Sequence, residues 1–221
     1  MDDYMRKLSF CTLFFISLFM LIGCDKDTDT NPNPNPNPPV ITSCKECEYY
    51  PVCDGSYFTF LDSISPAVPV FYTDTLKVQT DTTINGLVYK KVKRISSRYP
   101  STEYLNCKNG IYSIGGKYGF GLKPVVILKS NEPVGTTWTE YPSTGVTVTL
   151  SILAKGLSLQ INNTTYADII KVKFIIEGSG SIYTAYYYFA KGIGIIKFEY
   201  GQWNFDTSWY HRNYLQSYFI P

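Results

Sequence analysis

ADIIKVKFIIE, residues Ala167 to Glu177, decides the fold. Ile170, Val172 and Phe174 fall on one side of an extended chain and Lys171 and Lys173 on the other. That alternation has the two-residue period of a half-buried strand, not the 3.6-residue period of a helix. The same reading extends through the last 180 or so residues. Strands are predicted over Ser56–Asp62, Val70–Thr80, Thr136–Tyr141, Val146–Ala154, Leu157–Ile161, Ser181–Ala190, Ile195–Tyr200 and Ser208–Ile220. Val125–Leu128 reads as a fully buried strand. Asn85-Gly86, within Thr83–Arg94, is the strongest hairpin signal. Asn109-Gly110 marks a second hairpin between Tyr104–Cys107 and Ile111–Ile114, and Asn162-Asn163 a third turn. The glycines of Lys191-Gly192-Ile193-Gly194 lack the G-x-x-x-x-G-K spacing of a phosphate loop and read as a turn between antiparallel strands. The fold class is therefore all-β: an antiparallel meander forming a twisted sheet, a sandwich or a partly open barrel.

Composition agrees. The 221 residues hold 20 tyrosines and 16 glycines but a single histidine, and tyrosine- and threonine-rich chains favour strands. Lysine and arginine number 20 and acidic residues 18, with the charges scattered. No basic stripe addresses a nucleic acid.

The first 39 residues have a different character. Arg6 and Lys7 precede an apolar run from Leu8 to Ile22, the layout of a secretory signal and too short for a membrane span of about 20 residues. Met5 makes a more ordinary start for such a signal than Met1. Leu21-Ile22-Gly23-Cys24 resembles the lipobox of bacterial lipoproteins. The resemblance implies cleavage before Cys24 and acylation of that cysteine, with palmitate-type chains. Several chains anchor stably where one binds only marginally. Asp25-Lys26-Asp27-Thr28-Asp29 is solvated linker, and it also resembles the acidic export signal of surface lipoproteins in Bacteroidetes-type bacteria. Asn31 to Pro39, NPNPNPNPP, is a polyproline-like spacer. At ~3.1 Å per residue the linker reaches about 45 Å. The expected organisation is a signal peptide over 1–23, an acidic and Asn-Pro linker over 24–39, and a β-rich head over 40–221, with room for two subdomains meeting near 115–135.

Cys44, Cys47, Cys53 and Cys107 remain in the head, and an even number in an exported chain reads as disulfides with three pairings open. Cys44-Lys-Glu-Cys47 has thioredoxin-type spacing, but Glu48-Tyr49-Tyr50-Pro51 opens no amphipathic helix to activate a thiol. A four-thiolate zinc site lacks a second short-spaced pair; no metal or other cofactor is expected.

Two segments resemble predicted lipoproteins of Bacteroidetes-type bacteria. CKECEYYPVCDGSY (Cys44–Tyr57), with YLNCKNG (Tyr104–Gly110) downstream, resembles a cysteine-bearing module of such proteins. YYYFAKGIGIIK (Tyr186–Lys197) resembles a YYxAKGxGxVK hairpin near the ends of exported β-domains. Neither implies an activity. The first, together with sequence spacing, suggests Cys44 with Cys47 and Cys53 with Cys107, while Cys44 or Cys47 with Cys107 stays open. The resemblance also implies O-glycosylation at Asp62-Ser63-Ile64, Asp74-Thr75-Leu76 and Asp81-Thr82-Thr83. Asn162 and Asn163 begin N-x-Thr patterns that a bacterial host leaves as a turn.

No catalytic residue is assigned. His211 lies between Tyr210 and Arg212 in the last strand, where a structural role suffices. Asp168, Glu177, Glu199 and Asp206 supply carboxylates without marking a pair. The aromatic residues are the better lead: Trp203, Trp209, Tyr210 and Tyr214, with Phe205 and Tyr218, suit a face for sugars or proteins. The expected function is a lipid-anchored, non-catalytic binding or structural protein of the outer membrane. Its partners are the membrane through the anchor and a glycan or envelope protein, with oligomeric state left open. The competing expectation is a carboxylate-dependent polysaccharide hydrolase or accessory glycan-binding protein.

Overall fold

The computed structural model describes residues 47–65, 70–84, 86–97, 100–115, 123–178, 181–204 and 207–221. The signal and linker, Cys24 and Cys44 lie outside the described residues, as do Asn85, Phe205 and Asp206. So do the side chains of Trp203, Trp209, Tyr210 and His211.

Among the described residues twelve strands form one antiparallel sheet: β1 (Tyr57–Ser65), β2 (Val70–Ile84), β3 (Leu87–Ser96), β4 (Ser101–Lys108), β5 (Ile111–Gly115), β6 (Val125–Lys129), β7 (Thr137–Ser143), β8 (Val146–Ile161), β9 (Thr164–Gly178), β10 (Ser181–Ala190), β11 (Gly194–Asn204) and β12 (Thr207–Phe219). Their spatial order is β6-β5-β4-β3-β2-β1-β12-β11-β10-β9-β8-β7. Consecutive strands pair except β6 and β7, the two edges of the sheet, and β12 returns beside β1 with Phe58 opposite Tyr218 and Leu61 opposite Tyr214. The sheet curls into a nearly closed barrel. Its seam lies between β6 and β7, where the Trp138 indole N–H donates to the Val126 carbonyl at 2.9 Å.

Three of the expected turns lie wholly within the described residues. Asn109 and Gly110 both have positive φ, 52° and 76°, as a two-residue type I′ hairpin requires. Asn162, at φ 53°, turns β8 into β9 with Ile161 opposite Thr164. Lys191–Ile193 links β10 to β11, with Ala190 opposite Gly194. The predicted strands Val146–Ala154 and Leu157–Ile161 are one strand, bent by register shifts around Ala154 and Leu157. The alternation over Ala167–Glu177 is interrupted at Asp168, whose φ is 50°. Beyond that kink both Ile169 and Ile170 are buried, and the period of two then runs on through Val172 and Phe174.

Side chains of one parity line the interior of each strand: Phe58 and Phe60, Leu76 and Val78, Val148, Leu150 and Ile152, Val172 and Phe174. Connections alternate between the two ends of the barrel, as a meander demands. The β2–β3, β4–β5, β8–β9 and β10–β11 turns share one end. The β1–β2, β3–β4, β9–β10 and β11–β12 connections share the other.

Candidate functional site

The first barrel end is plugged by the segment before β1. Tyr50 donates its N–H to the Cys47 carbonyl at 3.1 Å, tightening a single turn. The Tyr49 N–H reaches the Tyr112 hydroxyl on β5 at 2.9 Å, and the Tyr49 hydroxyl donates to Asp168 Oδ1 on β9 at 2.9 Å. Burial pushes the Tyr49 phenol pKa up, and the Asp168 carboxylate adds to the shift. Gly192 donates its N–H to the Glu48 carbonyl at 2.5 Å, and Lys191 Nζ lies 3.2 Å from the Glu48 carboxylate. Tyr50 packs edge-on to Phe58, with centroids 6.1 Å apart. The same ring lies against Gly194: a Cβ there would sit 2.7 Å from Tyr50 Cδ2. The two segments singled out in the sequence, the cysteine module and the KGxG hairpin, are thus neighbours, and Gly194 is glycine because a ring occupies its side-chain position.

The interior nearer the opposite end is polar. Arg94 on β3 bridges two buried carboxylates, Asp74 on β2 through Nη1 to Oδ2 at 3.0 Å and Glu103 on β4 through Nη2 to Oε1 at 3.3 Å. The carboxylate side chains are 3% and 2% exposed, so this ion triad sits inside the barrel. Burial opposes the charge on Arg94, but Glu103 and Asp74 outweigh it and raise the guanidinium pKa. Asp62, also buried, faces Asn213 across β1 and β12. Among the described residues Asp74 Oδ1, Arg94 Nε, Ser101 Oγ and Asn213 Oδ1 have no hydrogen-bond partner, and Glu103 Oε1 is within ion-pair reach of Arg94 without hydrogen-bond alignment.

Tyrosines form the facing wall. Tyr183 and Tyr187 share the register face of Ile176 and Val172, and Tyr200 and Phe198 continue that face on β11. The Tyr183 and Tyr200 rings stack at 5.6 Å and 16°, and Tyr187 lies 4.5 Å from Phe198 and 4.4 Å from Phe174. The Tyr200 phenol is pushed up to about 12 by burial, with Tyr183 and Tyr187 adding.

The sequence-predicted residues distribute as follows. In the β11–β12 hairpin, Trp203 pairs with Ser208, Trp209 with Gln202 and Tyr210 with Gly201. These backbone positions lie beyond Asn213 and Tyr200 toward the same end as the polar cluster. Tyr214 belongs to the outer face, in a ladder of alternating rings and ammonium groups. Lys171 Nζ lies 4.8 and 5.1 Å from the Tyr186 and Tyr188 ring centres, and Lys197 Nζ 4.9 and 5.5 Å from those of Tyr188 and Tyr214. The Tyr188 hydroxyl donates to Glu199 at 2.9 Å. Burial works against the Glu199 charge, but hydrogen bonds from Lys197 and Tyr188 prevail and lower its pKa.

The described candidate carboxylates do not meet. Glu199 is level with Lys173, five positions from Asp168 and four from Glu177. At ~3.3 Å per residue and ~4.8 Å per strand, each separation exceeds about 15 Å. The carboxylates that do converge, Asp74 and Glu103, escaped the sequence reading. A signal existed: each falls in the inward parity of its strand, Asp74 with Leu76 and Val78, Glu103 with Leu105. Asp62 and Asp74, which begin two of the O-glycosylation matches, are buried.

Cys53 is disulfide-bonded, which removes its sulfur from any thiolate zinc set. Cys47 Sγ lies 4.0 Å from the carbonyl oxygen of Cys107.

With this geometry in place, two solved structures resemble the chain. One is a Bacteroides fragilis protein described as exported, with a YmcC-like fold. It has a TM-score of 0.50 and 10% identity over 78% of this chain and 99% of that one. The likeness is one of fold. The other, a Parabacteroides distasonis protein described as a lipoprotein, has a TM-score of 0.46 at 10% identity, covering 77% and 97% of the two chains. No family model matches the chain, and no curated protein matches it.

Proposed function

We propose that this chain is a lipid-anchored protein of the bacterial outer membrane, tethered through Cys24 by the linker 24–39, whose head, 40–221, is a non-catalytic binding module. The observation that carries the binding role is the set of inward polar atoms without partners, Asp74 Oδ1, Arg94 Nε, Ser101 Oγ and Asn213 Oδ1, opposite Tyr183, Tyr187 and Tyr200. A buried polar group left unpaired costs about 1–3 kcal/mol. Four such atoms in one interior region are suited to a ligand that brings its own hydrogen-bonding groups. A saccharide fits this chemistry. Its hydroxyls donate to the carboxylate oxygens and accept from the guanidinium, while its C–H face lies on tyrosine rings. The aromatic hairpin carrying Trp203, Trp209 and Tyr210 stands at the same end. The export described for the Bacteroides fragilis neighbour agrees with an envelope location.

A hydrolase would divide labour between an acid and a base. Asp74 and Glu103 address one guanidinium alike, and the arrangement distinguishes neither as acid.

The test is a screen of neutral and acidic oligosaccharides by thermal shift and calorimetry, repeated on Ser101→Ala and Asn213→Ala. Their side-chain oxygens have no hydrogen-bond partner among the described residues, so both variants should fold with nearly unchanged stability yet bind at least tenfold more weakly. Absence of saccharide binding by the parent protein would overturn the reading, and release of reducing ends would replace it with the hydrolase.

A further inference from the structure

The plug meets β4 at Cys47 and Cys107. Cys107 on β4 stands opposite Tyr112 on β5. Cys47 is brought to the same place from the other direction, by the turn closed at Tyr50 and by the Tyr49 amide bound to the Tyr112 hydroxyl. Its Sγ comes within 4.0 Å of the Cys107 carbonyl oxygen across 60 sequence positions. Both side chains are partly buried against the core.

We infer that Cys47 and Cys107 are joined in a disulfide, with Cys53 bonded to Cys44. The geometry favours Cys47 over Cys53 as the partner of Cys107, against the pairing suggested by the resemblance. The chemistry is thiol–disulfide exchange with an exported disulfide donor. One thiolate attacks the donor disulfide and expels a donor thiol, and the second then attacks the mixed disulfide and releases the donor as a dithiol. Two protons and two electrons leave the cysteines and reappear on the donor. The bond fastens the plug to β4 at a residue that precedes Tyr49 and Tyr50 in the chain. Tension along the linker would then pass into the sheet without pulling Tyr49 from Asp168 or Tyr50 from Gly194.

Peptide mapping of the full exported chain without reduction tests this. Cleavage at lysines and glutamates, including Lys45, Glu48 and Glu103, separates the four head cysteines. The expected cross-linked product joins the Cys47 peptide to the Cys107 peptide. A Cys53–Cys107 or Cys44–Cys47 product would overturn the assignment, as would Cys47 and Cys107 both reacting with a maleimide in the unreduced, denatured chain. A second measurement does not depend on the digest. Cys47→Ser should leave Cys107 reactive to maleimide, and Cys107→Ser should leave Cys47 reactive, with Cys53 protected in both. A Cys53 thiol exposed by Cys107→Ser would refute the pairing.

Discussion

Gly194 is where the plug is most sharply tested. Its φ is +111°, a conformation that side chains rarely adopt, and a Cβ would meet Tyr50 Cδ2 at 2.7 Å, Cε2 at 3.3 Å and Cα at 3.5 Å. For Gly194→Ala the backbone strain costs ~1–3 kcal/mol, and forcing a methyl into a packed site adds ~1–3 kcal/mol. The sum, roughly 2–6 kcal/mol, corresponds to about 5–20 °C in Tm for a domain of this size. Gly192→Ala is the control. Its φ is +75° with nothing within 4 Å of the added Cβ, so only the left-handed strain applies, ~1–2 kcal/mol. Thermal unfolding of both variants by circular dichroism gives the comparison. Amide exchange gives a second readout, because displacing Tyr50 should accelerate exchange at Tyr49 and Tyr50 in Gly194→Ala only. Equal Tm losses in the two variants, with unchanged exchange, would refute the idea that the ring of Tyr50 dictates glycine at 194.

Arg94→Met removes the guanidinium from two buried carboxylates and should cost ~3–5 kcal/mol in denaturant unfolding, whereas a loss below about 1 kcal/mol would mean the triad is solvated. Tyr200, raised to about 12 against an ordinary 10, holds its proton in the folded state after the unfolded chain has released it. The unfolded state then binds fewer protons, so stability should fall as pH rises from about 10 to about 12. Absorbance at 295 nm that rose more in the parent than in Tyr200→Phe well before unfolding would contradict this. Reduction of the mature protein opens a loop spanning 60 positions, worth about 4 kcal/mol in the chain-entropy picture. A lower Tm in dithiothreitol checks it, and Cys47→Ser should reproduce most of the drop.

The strands were legible because their information is local. Ile170, Val172 and Phe174 against Lys171 and Lys173 need no partner to be read, and Asn109-Gly110 carries its positive φ angles in its own chemistry. Barrel closure was not legible. The β1–β12 register, Phe58 opposite Tyr218, joins residues at the two ends of the head, and no local period encodes which strand completes the ring. The plug was half visible. Cysteine spacing and the KGxG turn stood out singly, but their contact depends on Tyr50 reaching Gly194 across the fold. The interior triad was hidden for a related reason. Asp74 and Glu103 share the parity of Leu76 and Leu105, but a charged residue reads as surface, and only closure brings both to Arg94. The backbone of Trp203, Trp209 and Tyr210 lies toward the end of the barrel that holds the polar cluster, Tyr214 lies on the outer face, and Tyr183, Tyr187 and Tyr200 were lost among 20 tyrosines.

The account rests most heavily on where the head is held. Intact mass of the membrane-extracted product, expressed from the full chain in an exporting bacterial host, measures this directly. The expected species begins at Cys24, carries a diacylglyceryl group and an N-acyl chain on that residue, and gains four hydrogens on reduction. A product that retains residues 1–23, or that begins at Cys24 without added lipid, would contradict it.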